Sequence, residues 1–451
     1  MPRDLHGVIW SRLGDAPQKM GDLVLSESET RFTYTPEYLA SGDPGFALLA
    51  DPSLWQGETV TYPVSERIPV FPRLVSLIPG NNPRNLQRRL YLNLLRSRLG
   101  REPPPGIETE WELLMSGGHG GIGHIDVFRD DLHAHGWYQS RMDRQSSLPI
   151  PLAERSDLWG MLRREVLDEH IDFDPQVVID ALGPTPSVGG MIPKMLVSLD
   201  LSNPQRGIYP PDTPGFQNVL LKIEPPEYAG LLELEALCLE LHAEAGFETP
   251  QARFFTHDGL RMLAIERFDQ AKGGVLPMES LFSVIAMGNH EFRETGDLLL
   301  DEIPAVLSAL GRVVQLHPGT GEELYRRLLM ALLTGNGDMH LDNIALTGGH
   351  TDCRLSPVYD PAPMRAWPRH NLISAIPFDP SGYAHHGEFF ATLGRAFQLP
   401  VHKVRRCIAD ALEATADYPN QIRSLSHVPA AQSEALLHIA REEHRILASV
   451  S

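Results

Sequence analysis

The chain has 451 residues, of which 42% are hydrophobic and 22% are charged, and its formal net charge is −19 at pH 7. This length allows two or three domains with ordinary hydrophobic cores, and the apolar fraction excludes a wholly disordered chain. The acidic charge argues against nucleic acid or an anionic lipid surface as the primary partner of the chain by itself.

Cysteine content and hydropathy indicate the compartment. Cys238, Cys353 and Cys407 are the only cysteines and no C-x-x-C pair occurs, so we expect neither a disulfide framework nor a structural zinc site. No run approaches the roughly 18 apolar residues that span a bilayer, and the start of the chain does not resemble a secretory signal. The sequence therefore predicts a soluble protein of the reducing cytoplasm, without a membrane partner.

Residues 1–145 are predicted to form a β-rich N-terminal domain. Residues 21–26 and 31–35 alternate apolar and polar side chains as strands do, and Ile125–Phe128 is predicted as a further strand. Residues 83–99 show the period of an amphipathic helix.

Four histidines of this region could suggest a metal site. They are His119, His124, His133 and His135. Their spacing matches no standard ligand pattern, so we interpret them as residues of surface loops.

The next part of the chain, residues 146–272, is predicted to mix strands with one helix, and residues 273–451 are predicted to be mostly helical. The predicted elements are a strand at 195–199, a strand at 218–223, a helix at 231–244 and a hairpin of strands 252–255 and 260–265. Gly246 gives the stop signal of the helix, and Asp258-Gly259 gives the hairpin turn. Residues 336–360 form the largest interruption of the helical part.

Ser187 to Lys194 is the candidate phosphate-binding loop. Transfer of a nucleotide γ-phosphoryl group needs such a loop, a cation, Mg²⁺ ligands and a residue that positions the nucleophile. Gly189 and Gly190 would let backbone N–H groups approach phosphate oxygens, and Lys194 could add charge. A two-glycine turn is commonplace, so this loop carries weight only in its context.

Lys222 is the candidate cation. Strand alternation places Lys222 on the same face as Leu220 and opposite Val219, and a lysine suits phosphate neutralisation. The alternative interpretation is a snorkelling lysine on an edge strand. Glu235, in the middle of the following helix, could pair with Lys222 or could be a solvated glutamate of the helix face.

Residues 334–346 are the best-specified segment. Asp338 and Asn343 have the D-x-x-x-x-N spacing of a kinase catalytic loop, in which the Asp accepts the substrate hydroxyl proton and the Asn holds Mg²⁺. A predicted strand–turn–strand then leads to Asp360, a second carboxylate suited to Mg²⁺. Single Asp and Asn residues are common in turns, but their combination with Lys222 favours phosphotransfer.

A metal-dependent hydrolase is a rival interpretation of the same segment. His340 lies near Asp338 and Asp342 in the sequence, and the three could begin a metal cluster. That reading needs a second group of His or carboxylate side chains nearby, which the sequence does not offer. We expect His340 to orient the loop by hydrogen bonding instead.

Taken together, these motifs resemble the HipA family of serine/threonine kinases, the toxins of bacterial type II toxin–antitoxin pairs. The matching elements are Ser187-Val-Gly-Gly-Met-Ile-Pro-Lys194, the strand lysine Lys222, the helix from Glu235 to Gly246, Glu266-Arg-Phe-Asp269, Asp338-Met-His340-Leu-Asp-Asn343 and Tyr359-Asp360. The resemblance implies an α+β, protein-kinase-like fold. Its small lobe would be residues 146–272 and its helical large lobe residues 273–451, after the β-rich domain.

The resemblance also implies ATP and Mg²⁺ as cofactors, and a role for each motif. The residues implied to bind ATP are Ser187, Val188, Gly189, Gly190, Lys194, Lys222, Glu235, Glu266, Phe268 and Asp269. Asp338 would be the catalytic base, supported by His340 and Asn343, while Asn343 and Asp360 would hold Mg²⁺. Ser187 matches a regulatory autophosphorylation site, where phosphate would compete with ATP for the loop.

Partners follow from the resemblance as well. Relatives phosphorylate aminoacyl-tRNA synthetases and are held by a helix-turn-helix antitoxin of the HipB type, which binds operator DNA. The resemblance thus implies a protein substrate of the translation machinery and only indirect contact with DNA. The alternative is a catalytically inert, kinase-like binding module of an antitoxin–operator repressor complex.

Overall fold

The computed structural model describes residues 4–55, 57–82, 85–145, 151–152, 192–271 and 274–450. Contacts between residues group the chain into two compact units. The first unit comprises Met1–Pro225, Phe255–Glu279 and Ala286–Arg293, and the second comprises Pro226–Phe254, Ser280–Ile285 and Glu294–Ser451. The division at 145 and 272 stays a prediction.

A five-stranded antiparallel sheet forms the N-terminal part of the first unit. Its strands are β1 (Leu5–Ser11), β2 (Gln18–Leu25), β3 (Glu29–Tyr34), β4 (Thr59–Pro63) and β5 (Ile125–Phe128), in the order β4-β3-β2-β1-β5. On β2 and β3, buried Leu23 and Phe32 pair directly while Asp22 is exposed, which is the alternation of a half-buried strand. The three predicted strands of this region are confirmed.

Helices pack with this sheet and account for much of the N-terminal part. They are α1 (Pro36–Ser41), α2 (Pro72–Val75), α3 (Leu86–Leu99), α4 (Ile107–Gly117) and α5 (Asp131–Gln145). The helix predicted at 83–99 is confirmed as α3, while α4 and α5 were not predicted.

The interpretation of the four histidines as surface loop residues is wrong. His119 and His124 are buried: the His119 ring stacks on Phe128 with 4.8 Å between centroids, and His124 Nε2 lies 3.0 Å from the carbonyl oxygen of Gly45. The two others, on α5, are exposed but helical. The described residues contain no cluster of His, Cys, Asp or Glu that could hold a metal ion.

A four-stranded sheet forms most of the other part of the first unit, and its strand 252–257 begins in the second unit. Its strands are β6 (Lys194–Leu199), β7 (Gln217–Ile223), β8 (Ala252–His257) and β9 (Leu260–Glu266), in the order β6-β7-β9-β8. Asp258 and Gly259 join β8 to β9 with φ of 47° and 77°, the two left-handed residues of a tight hairpin turn. These strands confirm the predicted ones.

Helices dominate the second unit. They are α6 (Leu231–Glu244), α8 (Ile303–Leu310), α9 (Thr320–Thr334), α10 (His386–Ala396), α11 (Val401–Ala414), α12 (Tyr418–Ser424) and α13 (Ala430–Ala448); α7 (Leu281–Gly288) begins in this unit and ends in the first. Gly246, with φ of 81°, follows α6 as the predicted stop signal. Across the described part of the chain, none of the helices is both long and apolar enough to cross a membrane.

Short strands complete the structure. They are β10 (Gln270–Ala271), β11 (Gly274–Val275), β12 (Met278–Ser280), β13 (Ala345–Thr347) and β14 (Arg354–Leu355). β13 and β14 pair antiparallel, with Leu346 opposite Leu355. This hairpin occupies the predicted interruption at 336–360, which lies between the long helix α9 and the C-terminal helices.

Candidate active site

Two lysines face each other in the four-stranded sheet. β6 and β7 are antiparallel with Lys194 directly opposite Lys222, so both side chains share one face, with about 4.5–5.5 Å between their Cβ atoms. The two residues are only 5% and 1% exposed. Like charges so placed repel each other. The arrangement therefore places two buried cations together on one face of the sheet.

The two faces of this sheet differ in character. Met195, Val219 and Ala264, on the opposite face, belong to the hydrophobic core of the unit. On the lysine face, Leu196 and Leu220 pair with each other beside the lysines. That face thus combines an apolar surface with two cations, which suits the base and the phosphates of a nucleoside polyphosphate.

Lys222 is not a snorkelling edge residue. β7 lies between β6 and β9 in the sheet, and Lys222 pairs with Leu263 on its other side. Glu235, on α6, is 1% exposed, so it is not a solvated glutamate of the helix face either. The structure therefore excludes both alternatives, a solvent-reaching lysine on an edge strand and a solvated glutamate.

Backbone contacts anchor the strand that follows the candidate phosphate loop. Gln87 of α3 donates its Nε2 hydrogen to the carbonyl oxygen of Lys194 at 2.6 Å, and Ile223 N–H donates to Pro193 at 2.9 Å. The loop residues Ser187, Val188, Gly189 and Gly190, including the predicted phosphorylation site, lie outside the described residues.

The segment after β9 contains a buried ion pair. Arg267 binds Asp269 through two contacts, Nε to Oδ1 at 3.0 Å and Nη2 to Oδ2 at 2.7 Å. Gly123 N–H donates to the same Asp269 at 2.9 Å, and Arg267 also donates to Gly121. Asp269, 2% exposed, is therefore engaged in holding the N-terminal glycine segment. The expected role of Asp269 in ATP binding stays a prediction.

Glu266 and Phe268 are the sequence neighbours of the two buried residues of that ion pair. Both are half-buried, whereas Arg267 and Asp269 are buried. Glu266 ends β9 opposite Val219 of β7, and Arg267 N–H donates to the carbonyl of Asn218. The ion pair thus fixes the backbone of the segment whose half-buried residues, Glu266 and Phe268, are implied by the resemblance to bind ATP.

The candidate catalytic loop follows α9 in the second unit and is fixed by its own hydrogen bonds. Asn336 Oδ1 accepts from Asp338 N–H at 3.1 Å. The carbonyl of Asp338 accepts from His340 N–H at 2.8 Å and from Asn343 Nδ2 at 2.9 Å. His340 Nδ1 accepts from Asp342 N–H at 3.2 Å, which makes Nε2 the protonated nitrogen of a neutral ring. The loop therefore holds Asp338 and Asn343 in one turn.

Glycine is required in this loop by a close approach of the backbone. A Cβ at Gly337 would overlap the carbonyl oxygen of Leu372 and would lie 2.8 Å from Cγ of Arg365. Gly335, at the end of α9, has φ of 79°. Asp338 is thus carried by a backbone packed directly on the segment that follows Asp360.

The side-chain amide of Asn343 makes a single hydrogen bond among the described residues. Its amide nitrogen donates to Asp338, and its amide oxygen makes no hydrogen bond within the part of the chain that the structure describes. Nearby, Tyr359 donates to the carbonyl of Asp342 at 2.5 Å, and Ser280 donates to the Asp342 carboxylate at 3.0 Å. Sequence patterns gave no signal for these two contacts, which hold the turn before Asn343.

Asp360 has a strained backbone. Its φ of 54° lies in the left-handed region, which non-glycine residues seldom adopt, and Pro361 follows it. Such strain costs of order 1–3 kcal/mol and is concentrated at functional sites. The β13–β14 hairpin leads to it, with Arg327 donating to the Ser356 carbonyl at 2.6 Å. The oxygens of Asn343 and Asp360 fit Mg²⁺, which prefers hard oxygen ligands.

Comparison with known proteins assigns a family to these elements. The family model described as HipA-like C-terminal domain matches residues 186–418, more than half of the chain. The matched range contains both facing lysines, the segment after β9, the candidate catalytic loop and Asp360.

Two curated proteins are similar in sequence. A Sinorhizobium fredii protein named "Putative kinase Y4dM" is 27% identical over 176 residues, which are 35% of this chain and 38% of that protein. A Haemophilus influenzae protein named "Putative kinase" is 21% identical over 262 residues, which are 51% of this chain and 74% of that protein. The chain thus spans well under half the length of the first of these relatives.

A solved structure shares the fold across almost the whole chain. It is a chain of the Shewanella oneidensis MR-1 toxin–antitoxin complex of HipA, HipB and operator DNA, with a TM-score of 0.64 at 15% identity, covering 98% of this chain and 97% of that one. The α+β, kinase-like fold predicted from the sequence is confirmed.

Proposed function

Because the chain belongs to the HipA-like kinase family, we propose that it is an ATP- and Mg²⁺-dependent serine/threonine protein kinase of the cytoplasm. The observation that carries the proposal is the pair of buried lysines, Lys194 opposite Lys222, beside the apolar pair Leu196 and Leu220 on the same sheet face. Two buried ammonium groups on one face suit the phosphates of ATP better than any singly charged ligand.

Each residue has a role in this proposal. Lys194 and Lys222 would bind the ATP phosphates, and Glu266 and Phe268 would contact adenine. Bound Mg²⁺ would neutralise the charge that develops on the transferred phosphoryl group. Glu235 would be the carboxylate partner of the phosphate-binding lysine, as its burial on α6 supports.

Asp338 would act as the base in the chemical step. Its carboxylate would accept the proton of the substrate hydroxyl while that oxygen attacks the γ-phosphorus and ADP leaves. His340 would keep the loop in shape through its bond to Asp342, and Asn343 with Asp360 would hold Mg²⁺. Most of the rate acceleration would come from positioning and charge stabilisation, since the protein forms no bond to phosphorus.

The substrate and partners extend the proposal by family likeness. We propose a protein substrate of the translation machinery, such as an aminoacyl-tRNA synthetase, and neutralisation by a helix-turn-helix antitoxin. The similar Shewanella protein is solved with HipB and operator DNA, which supports an antitoxin of that type and an indirect contact with DNA. Ser187 would be an autophosphorylation site that lowers ATP binding.

The test is transfer of labelled phosphate from ATP to proteins of a cell extract. The wild-type chain should label a discrete band on serine or threonine, and Asp338→Asn should reduce the rate by about 10²–10⁴-fold, the usual contribution of a general base. Asp352→Asn, an exposed aspartate of the β13–β14 turn, is the matched control and should label normally. Equal labelling by wild type and Asp338→Asn would refute the role of Asp338.

A thermal-shift measurement separates the kinase from an inert binding module. A chain that binds ATP and Mg²⁺ must be stabilised by them through mass action. Stabilisation with no phosphotransfer to any extract protein would favour the binding module. Release of phosphate from phosphoesters without protein labelling would favour the hydrolase.

A further inference from the structure

A buried charged cluster lies behind the candidate catalytic loop. Glu443, on the last helix α13, binds Arg365 Nη1 through Oε1 at 2.7 Å and His386 Nε2 through Oε2 at 2.5 Å. The side chains of Glu443 and Arg365 are only 3% and 9% exposed. Both oxygens of the Glu443 carboxylate are thus used, one on each partner.

Arg365 touches the loop that carries Asp338. Its backbone N–H donates to the carbonyl of Gly335 at 3.2 Å, and its Cγ would lie 2.8 Å from a Cβ placed on Gly337. The guanidinium group at the far end of the same side chain is held by Glu443. A single side chain therefore spans from the loop backbone, next to Asp338, to the last helix.

The C-terminal helices make further contacts with the start of this loop. A Cβ on Gly335 would lie 2.8 Å from Cδ1 of Leu436, also on α13. Tyr418 of α12 donates to the carbonyl of Thr334 at 3.1 Å. These contacts place the end of the chain against the residues that set the direction of the loop.

We propose that Glu443 is a positioning residue for phosphotransfer, acting through Arg365 on the loop that carries Asp338. The inference rests on the proposed kinase function, because it concerns the placement of the proposed base. Glu443 does not act on the reactants. It holds the guanidinium group in one place, and the stem of Arg365 then limits where the backbone of Gly337 can lie.

The energetic reason is the burial of the pair. A buried guanidinium group that loses its carboxylate is left with an uncompensated charge and moves toward other acceptors or water. Such a movement would carry the stem of Arg365 with it. A displacement of about 1 Å at a catalytic group is enough to reduce a rate by about 10²-fold.

The test compares Glu443→Gln with Glu442→Gln, which makes the same change one residue earlier on the same helix. Glu442 is exposed and binds Arg445, so it is a matched control. In Glu443→Gln we expect kcat to fall at least tenfold and KM for ATP to stay within twofold. Amide hydrogen exchange of the peptide 335–343 should become at least tenfold faster, and Glu442→Gln should change none of these.

Hydrogen exchange makes the result independent of the kinase proposal. Faster exchange of 335–343 in Glu443→Gln supports the positioning role even if the wild-type chain transfers no phosphate, in which case only the proposed function fails. Wild-type exchange and wild-type kcat in folded Glu443→Gln would overturn the inference. If that variant does not fold, His386→Asn removes one of the two partners of Glu443, and it must then speed exchange of 335–343 for the inference to stand.

Discussion

Lys194 and Lys222 lie directly opposite each other on adjacent antiparallel strands, and both are almost fully buried. Like charges on directly opposed residues repel each other, and burial strengthens the repulsion. If the proposed kinase function is right, this sheet face should prefer a polyphosphate over a single phosphate.

Removing either lysine should weaken polyphosphate binding. For Lys222→Met we expect the affinity for inorganic tripolyphosphate to fall at least tenfold, or by about 1.4 kcal/mol, because one of two converging charges is lost. Tripolyphosphate-dependent thermal shifts measure the effect. Lys403→Met is the control, since Lys403 is exposed and pairs with Glu322. Unchanged affinity in Lys222→Met would show that the lysine face is not the phosphate site.

Substitutions of Asp360 should affect stability and phosphotransfer differently. Asp360→Gly relieves the left-handed strain whereas Asp360→Ala keeps it, so we expect the glycine variant to be more stable than the alanine variant by about 1 kcal/mol. Both variants should lose phosphotransfer, because each lacks the carboxylate. Denaturant unfolding and labelling assays check the two parts separately. Equal stability of the two variants would contradict the strain argument.

Breaking the buried ion pair after β9 should be costly. Arg267→Gln leaves the Asp269 carboxylate buried without its guanidinium partner, and we expect a loss of about 3–5 kcal/mol in the free energy of unfolding. Arg129→Gln removes the exposed partner of Glu112 and should cost less than about 1 kcal/mol. Chemical denaturation of the two variants measures the difference. Similar losses for both would mean that burial of the pair is unimportant.

The buried histidines predict loss of stability in mild acid. Burial lowers the pKa of His119 to about 4 and the pKa of His124 to about 3, from an ordinary value of 6.5. Because the folded pKa is the lower one, their contribution is complete above about pH 6.5 and is lost progressively as the pH falls toward 4 and 3. At pH 5 each should cost about 2 kcal/mol.

Unfolding at pH 7 and pH 5 tests this dependence on one residue at a time. His119→Phe should reduce the pH dependence, because it removes one of the two buried imidazole rings. A stability that does not change between pH 7 and pH 5 would show that these rings are accessible to protons in the folded chain.

Features set by neighbouring residues could be predicted from the sequence. The face on which Lys222 lies follows from strand alternation, the end of α6 follows from Gly246, and the β8–β9 turn follows from Asp258-Gly259. Each of these depends on interactions within a few residues, where local conformational preference decides the structure. The roles of Asp338, Asn343 and Asp360 stay predictions.

Features set by distant residues could not be predicted. The facing of Lys194 and Lys222 depends on strand register, which sequence spacing does not determine. Asp269 is bound by the N–H of Gly123, 146 residues earlier, and this contact could not be predicted from the motif around Asp269. The burial of His124 likewise comes from its contact with Gly45. In each case tertiary packing supplied the partner.

The core beneath the four-stranded sheet also includes residues outside the matched range 186–418. Leu90 of α3 and Leu152 belong to the same cluster as Met195 and Val219. A segment excised at 186–418 would therefore expose part of this hydrophobic core to water, and we expect it to aggregate during expression. For this chain, the boundary that sequence similarity draws is not a boundary at which a soluble fragment can be cut.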